Sequence, residues 1–537
     1  MNYSTFLTSV VILVSSYTTI KFLQHRKRSR NHPFPPGPEG YPIIGNVLSL
    51  FQGERWKIFS DYKKQYGDLV RLHGLGTDLI ALNSLDAIDD LLGKRGHIYS
   101  HRPTFTVVGE MMGLDQSTPL QSYGPDWRTH RKLAHNVLSI TVVKQYCQLQ
   151  EDLAVLLCDE FLKTPEKFFS STRLFASRLM LTITYGLSAK DADNLYVEHA
   201  HKTMAMVSRS SIPGAFIADF LPFLKHVPWP SFQKEVEAGR DMIDGLVRLP
   251  FEHVKRDITS GSACADNLSR PPELLFHHSP KIFSQLRTLA LITTSNGQPV
   301  LCMASLTLLD CIAGGESTYA TVSTFILCMV LYPEVQRKAQ AEVDRVIGKG
   351  RLPLIEDMPD LPYVNAMIKE TMRWHPIVPL SEFFPMATQK ASLIQRPIAL
   401  ARRVAQDDYY KGFFIPKGTL VIPNAWAIAL ESNAKYEPSE FIPERFLDPD
   451  VKATDPALWA FGFGRRICPG KHLAENSLFI AISMILTVFN ISKGEHEVTA
   501  AFEEDLISYP KPFKCNIVPR SDLIKKLVTT RAAEVYV

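Results

Sequence analysis

Three short stretches of this chain combine residue types that can do chemistry. The first is FGFGRRICPG, residues 461–470, in which Cys468 follows two arginines and precedes Pro-Gly. A thiolate needs positive neighbours or a metal to hold its charge. Arg465 and Arg466 offer the former, and glycines at 464 and 470 let backbone N–H groups approach the sulfur. Zinc would require three further ligands, and only His472 is local. A haem iron and a reactive redox thiol both fit the residues at this point.

The second stretch is AGGEST, residues 313–318, inside a long apolar run. Two glycines in a helix interior cost about 1 kcal/mol each relative to alanine, so something must need the space. Glu316 and Ser317, an acid followed by a hydroxyl, can pass protons. The third is KETMR, where Glu370 and Arg373 share a helix face at i, i+3. WRTHR similarly sets Trp127 and Arg131 four residues apart, and PERF (443–446) carries Arg445.

Taken together and in this order, these stretches resemble the cytochrome P-450 superfamily. FGFGRRICPG matches the family's haem-binding loop, phenylalanine-x-x-glycine-x-arginine-x-cysteine-x-glycine, at every fixed position, including Phe461 and Gly470. The resemblance implies that Cys468 is the axial thiolate of haem b and that Arg466 pairs with a propionate. It implies a structural triad of Glu370, Arg373 and Arg445 that holds the proximal loop. It further implies that Trp127, Arg131 and Arg402 (in ALARRV) bind propionates. AGGEST is similar to the family's oxygen-binding helix, where the missing side chains would make room for dioxygen. Ser317 stands where threonine is usual; the hydroxyl is kept and the methyl lost.

The resemblance runs from the proline-rich stretch to SYPKPFKCNIVPRS (508–521) and is similar to fungal microsomal members, the O-methylsterigmatocystin oxidoreductase-like group. It implies a monooxygenase that inserts one oxygen atom from O2 into a lipophilic substrate. Electrons from NADPH would arrive through a cytochrome reductase, with cytochrome b5 as a second donor. Arg128, Lys132, Arg465 and Lys471 would form the docking face. Residues 101–115, 206–228, Val378–Leu380 and the 505–510 turn would line the pocket, with Phe105, Met111, Met112 and Phe216 apolar. The context implied is fungal secondary metabolism or xenobiotic oxidation. A haem-thiolate isomerase or peroxygenase, and a non-enzymatic haem or lipid binder, are the alternatives.

Elements must position these groups. Residues 301–331 read as one helix, apolar almost all round and free of proline, hence buried in a large protein. Asp310 and Glu316 argue against a lipid environment for it. Further helices are expected over 56–66, 334–347, 361–374 and 470–488, and amphipathic ones from 127 to 255. Residues 71–84 suggest a pair of short strands, and 400–425 is turn-rich and strand-like. The fold class expected is mainly α with a minor β part, one large domain over 47–537.

Hydrophobic residues make up 45% and charged residues 21% of the 537, as in an ordinary globular protein. Lys21, Arg26, Lys27, Arg28 and Arg30 alone exceed the net charge of +4, so the basic excess is local and gives no reason to expect nucleic acid. These cations follow an uncharged run, residues 1–20, long enough as a helix to cross a bilayer core of about 30 Å. The positive-inside rule then places the bulk of the chain in the cytosol, anchored to the endoplasmic reticulum membrane. Weighed against that anchor were a cleaved signal peptide and a soluble tail. Asn2, in Asn-Tyr-Ser, would face the lumen as a glycosylation acceptor. Prolines in 32–46 predict a stiff spacer, so 21–46 is expected to link membrane and globule. The 8 cysteines show no paired spacing and are expected to be reduced.

Two stretches depart from the family pattern. Residues 274–309 and 383–406 contain no Asp or Glu, and about twenty extra residues intervene after RWHPIVPL. Translated intron or a misplaced exon edge would account for both. WAIALESNAKYEP (426–438) also lacks the usual His-Asp-Pro.

Overall fold

A computed structural model describes residues 26–41, 44–46, 55–74, 77–185, 195–210, 216–219, 222–227, 229–260, 298–379, 401–431, 435–503 and 507–536. The expected anchor over 1–20 with Asn2, residues 274–297 and residues 383–400 lie outside these. Among the described residues no single helix is long and apolar enough to cross a membrane.

The chain begins with α1 (Arg55–Tyr66) and a hairpin of β1 (Leu69–Gly74) and β2 (Thr77–Leu82). There follow α2 (Pro125–Leu138), α3 (Cys147–Lys163), α4 (Phe168–Tyr185), α5 (Leu195–Ser210) and α6 (Pro230–Ser260). Next come α7 (Gln298–Leu331), α8 (Pro333–Val346) and α9 (Pro362–Trp374). After β3 (Arg402–Arg403), β4 (Asp408–Tyr410), β5 (Phe413–Ile415) and β6 (Leu420–Pro423), the chain ends with α10 (Lys471–Val488), β7 (Phe489–Lys493), β8 (Cys515–Pro519) and α11 (Asp522–Tyr536).

Prolines set several boundaries. Pro333 denies Tyr332 a helical conformation, so α7 stops at Leu331 and the chain turns by 108° into α8, which Pro333 opens. Pro362 opens α9, and Pro376 follows the end of that helix at once. The all-round apolar character of α7 has the expected cause. Phe325, Ile326, Leu327 and Cys328 are completely buried. Helices α3, α4, α7, α8, α9 and α10 share one core with them.

The main sheet has the order β1-β2-β6-β3. β1 and β2 pair antiparallel with Leu69 opposite Leu82, β2 runs parallel to β6, and the edge strand β3 sets Arg402 opposite Val421. A second, smaller apolar cluster beneath this sheet includes Trp459 and Phe463, which lead into the Cys468 loop.

Two expectations change. The proline-rich segment is extended, yet it does not stand off as a spacer. The Phe414 N–H donates to the Pro33 carbonyl at 2.7 Å, and the Arg71 N–H donates to that of Pro36 at 2.8 Å. Arg71 also stacks its guanidinium 3.8 Å from the Phe34 ring, and Arg28 is ion-paired with Asp407. Aromatic and charged side chains between the prolines find partners on the sheet, which composition alone does not reveal. The second change is α11, absent from the sequence reading. Ser521 caps it through the Ile524 N–H at 3.3 Å, and Ile524, Val528 and Ala532 bury one face in the main core. Their i, i+4, i+8 spacing was the available signal.

Candidate active site

The Cys468 loop is held from several sides. The Cys468 N–H donates to the Phe461 carbonyl at 2.7 Å, closing the turn. Gly464 adopts φ +51, and a Cβ there would lie 2.0 Å from the Leu92 carbonyl oxygen. Only glycine permits that approach. Gly470 accepts the first backbone bond of α10, from Ala474 at 2.9 Å. α10 is in turn pinned by Gln150 of α3, whose amide reaches the Leu473 carbonyl and Ser477 Oγ at 2.9 and 2.6 Å. The Cys468 side chain itself is exposed on this loop.

Glu370, Arg373 and Arg445 meet in a buried cluster. Arg373 donates Nε and Nη2 to Glu370 at 2.6 and 2.9 Å, and Arg445 donates Nε to the same carboxylate at 3.0 Å. The Ile442 N–H adds a fourth bond at 2.6 Å. The remaining guanidinium protons go to the carbonyls of Glu437, Pro438 and Glu440. α9 thus grips residues 437–445, the segment that precedes the Cys468 loop. Such a buried set is costly to break because each charge depends on the others.

Above the loop stand four arginines. Arg466 donates to the Ser100, Thr118 and Gln121 carbonyls, with Nη2 to Ser100 at 2.8 Å, and lies 4.6 Å from the Trp127 ring. Arg131 is 5.8 Å from that same ring, so the i, i+4 pair on α2 is joined there by Arg466. Arg402 is buried and gives Nη2 to the Phe463 carbonyl at 2.7 Å, while its Nη1 is buried without a hydrogen-bond partner. Arg102, missed as a candidate although it lies in the 101–115 stretch, gives Nη1 to the Ala401 carbonyl at 3.1 Å. Burial and the neighbouring arginines push Arg466 down to about 8 and Arg402 down to about 9; burial pushes Arg102 down to about 10. Among the described residues neither Arg402 nor Arg466 has an acidic partner. Buried cations gathered this way call for an anion. Two carboxylates on one ligand, as in haem propionates, fit that demand and the orphaned Arg402 Nη1.

On α7 the glycines answer to α4. A Cβ at Gly314 would come to 3.1 Å from Met180 Sδ, and one at Gly315 to 3.6 Å from the Ala176 carbonyl oxygen. Both glycines thus face α4, Gly314 tightly and Gly315 at ordinary contact distance. Ser317 lies roughly 160° round the helix from Gly315, on the face turned away from α4. Its hydroxyl donates to the Gly314 carbonyl at 3.2 Å, and Thr318 donates to the same oxygen at 2.8 Å. Glu316 pairs with Arg173 of α4, which the sequence reading did not single out.

Phe105, Met111, Met112 and Phe216 converge in one apolar cluster with Val107, Val108 and Ile243. Ser508 ties its N–H to the Ile377 carbonyl at 2.8 Å, joining the segment around Val378 to the 507–510 part of the C-terminal turn. Arg128, Lys132 and Arg465 are exposed, with Tyr123 between Arg128 and Arg465. Lys471 is partly buried, its ammonium donating to the Ala457 carbonyl at 3.1 Å. Among the described residues no group of three or more His, Cys, Asp or Glu could hold a metal ion.

Comparison with known proteins agrees with this geometry. The cytochrome P450 family model matches residues 35–383 and 394–517, passing over part of the acid-free 383–406 stretch. The chain is 34% identical to cytochrome P450 monooxygenase COX2 of Coprinopsis cinerea, over 95% of this chain and 93% of that protein. It is 35% identical to cytochrome P450 monooxygenase claR of Ampulloclitocybe clavipes, over 93% and 89%. Tryptamine 4-monooxygenase of Psilocybe cyanescens is 33% identical, over 97% and 100%. A cysteine loop leading into a core helix, a family model matching most of the chain and relatives of full length lead to one conclusion: this chain belongs to the cytochrome P450 family, as a haem-thiolate monooxygenase.

Proposed function

We propose that the chain oxidises a lipophilic organic molecule, taking electrons from NADPH through a cytochrome reductase, and with cytochrome b5 as a second donor. The observation that carries this reading is the convergence of Arg102, Arg402 and Arg466 over the Cys468 loop, beside Trp127 and Arg131. Cys468 would hold the haem iron, and the arginines with Trp127 would hold the propionates. When bound, haem b supplies the reductive activation of O2.

The chain's own residues do the rest. The Phe105, Met111, Met112 and Phe216 cluster binds an apolar substrate and keeps water from it. Glu316, paired with Arg173, and Ser317, whose hydroxyl lies on the neighbouring face of α7, are the groups that would hand on protons. Ser317 in place of threonine keeps that hydroxyl and lacks the methyl that would fix its rotamer. Exposed Arg128, Lys132 and Arg465 give a positive face to an acidic reductase surface. Residues 1–20 would anchor the chain to the endoplasmic reticulum membrane, with the catalytic domain cytosolic. The small-molecule context favoured is secondary metabolism, by analogy with the tryptamine-oxidising relative.

The reduced-carbon-monoxide difference spectrum of the expressed full chain tests the reading. A thiolate-type Soret band is expected. A band at the position typical of imidazole or of no thiolate would refute the assignment of Cys468. Sequencing the transcript tests the two acid-free stretches: a spliced message encoding 274–309 and 383–401 unchanged removes the intron reading.

A further inference from the structure

Five exposed cations gather where the chain ahead of the proline-rich segment crosses the hairpin of β4 and β5. Arg26, Lys27 and Arg30 come from that chain, Lys411 from the turn between the two strands, and Lys417 from the turn after β5. Among the described residues none of these five is ion-paired. Arg28 is not one of the set, because its Nε donates to Asp407 at 2.9 Å and its Nη2 to the second oxygen of that carboxylate. Other acids of this region are occupied too. Asp408 takes Arg95 and Tyr99, and Asp90, which also feels Lys411, takes Lys94 and Tyr410.

Linker and hairpin are held as one body. The Tyr409 hydroxyl donates to the Arg28 carbonyl, and His32 Nδ1 lies 3.1 Å from the Gly412 carbonyl oxygen. The Lys417 N–H donates to Asp407 at 2.8 Å, so one carboxylate grips both pieces. The Arg30 guanidinium lies 5.2 Å from the Tyr409 ring, and the Lys411 ammonium 5.4 Å from that of Tyr410. Among the described residues the non-glycine positions with positive φ are Arg30, Asn31 and Lys411, at 51°, 63° and 48°. That region is disfavoured for residues with a Cβ. The backbone thus carries strain at two turns that each present a cation, one in the linker and one in the hairpin.

Cations fixed together without anions of their own call for an anionic surface. The chain before Arg26 leads back to residues 1–20, read above as a membrane anchor, so the anions within reach are lipid headgroups. A cytosolic leaflet carries anionic ones. We propose that Arg26, Lys27, Arg30, Lys411 and Lys417 form a docking face for anionic lipid, in which the strapped linker enlists the lysines of a hairpin far away in the sequence. This rests on the anchor reading and adds an orientation to it. The β4–β5 hairpin faces the bilayer, and the globule does not swing freely on its linker. Each cation near such a surface strengthens association about fivefold at low salt, and added salt screens the effect.

The test places the full-length holoprotein in nanodiscs of phosphatidylcholine, or of equal parts phosphatidylcholine and phosphatidylserine, and follows lysine acetylation by mass spectrometry. In the phosphatidylserine discs Lys411 and Lys417 should be acetylated severalfold more slowly than in phosphatidylcholine discs, and high salt should remove the difference. Lys525, exposed on α11, should react equally in both. A second readout is the quenching of a headgroup fluorophore by the haem. In phosphatidylserine discs it should differ between the wild type and the double variant Lys411→Gln/Lys417→Gln, and in phosphatidylcholine discs the two should agree. Equal acetylation of Lys411 and Lys417 in the two kinds of disc overturns the proposal, and so does quenching that the double variant leaves unchanged. Protection that appears only when the reductase is added to phosphatidylcholine discs would assign this face to an acidic protein instead, and also overturns it. A protein that does not co-elute with the discs fails the anchor reading, whereas co-elution without differential protection fails this inference alone.

Discussion

Arg402 Nη2 donates to the Phe463 carbonyl across 2.7 Å, so the edge strand β3 holds the entry to the loop that carries Cys468. The other arm of the same guanidinium is buried and unbonded. One arginine thereby serves the loop with one nitrogen and a ligand with the other. In Arg402→Leu, haem is expected to dissociate at least about tenfold faster, the loss of one charge-assisted bond. The haem-free protein should be no less stable, because a buried cation without an anion is removed. Haem transfer to an acceptor protein and urea unfolding of the haem-free form measure the two effects.

Replacement of Arg445 by alanine leaves Glu370 buried with one partner fewer and releases the Glu437 carbonyl, while that of Glu440 keeps Arg373. A loss of about 3–5 kcal/mol is expected. Urea denaturation followed by far-ultraviolet circular dichroism reads it, and a loss under 1 kcal/mol would contradict the role given to the cluster.

Gly464→Ala should fail for a local reason. The new Cβ would meet the Leu92 carbonyl oxygen at 2.0 Å, in a backbone region at φ +51 that alanine disfavours. We expect a folded protein whose carbon-monoxide spectrum has lost most of its thiolate band, while Gly350→Ala, with open space around it, behaves as wild type.

Cys468→Ser should abolish the thiolate Soret band without unfolding the chain, since the side chain is exposed on its loop. A melting temperature more than a few degrees below wild type, both measured without haem, would show that the cysteine has a packing role as well.

His375 supplies a pH dependence. It is buried against Phe502, with ring centroids 3.4 Å apart, and its Nε2 lies 2.7 Å from Ser508 Oγ. Ser508 gives its own proton to the Glu503 carbonyl, so the imidazole Nε2 is the donor to Ser508. Burial, with Lys57 adding to it, pushes His375 down to about 3. Between the unfolded value of about 6.5 and 3 the unfolded chain takes a proton that the folded chain refuses. Stability from this site is complete above about pH 6.5 and declines as pH falls through the window, by up to about tenfold in the folding constant per pH unit. His375→Gln should flatten that slope in urea titrations between pH 4 and 7; an unchanged slope would exclude this histidine as its source.

Local signals made much of the molecule legible. Apolar periodicity and proline placement marked α1, α7, α8, α9 and α10 within a few residues, because a helix's own face pattern and its terminators are adjacent in the chain. Cys468 with its arginines, and Glu370 with Arg373, were visible for the same reason: their spacing within one segment already states their chemistry. Folding alone decided which distant groups share a site. Arg102, Arg402 and Arg466 come from three separate segments, and nothing in the neighbourhood of each predicts that their charges will be stacked together. Arg173 sits in an unremarkable amphipathic helix until α4 packs on the glycines of α7 and brings it to Glu316. Those same glycines, read in the sequence as space for a ligand, face α4 in the fold. A sequence records which residues can ionise, bend or pack, whereas the pairing of one charge with another is set by contacts between segments hundreds of residues apart.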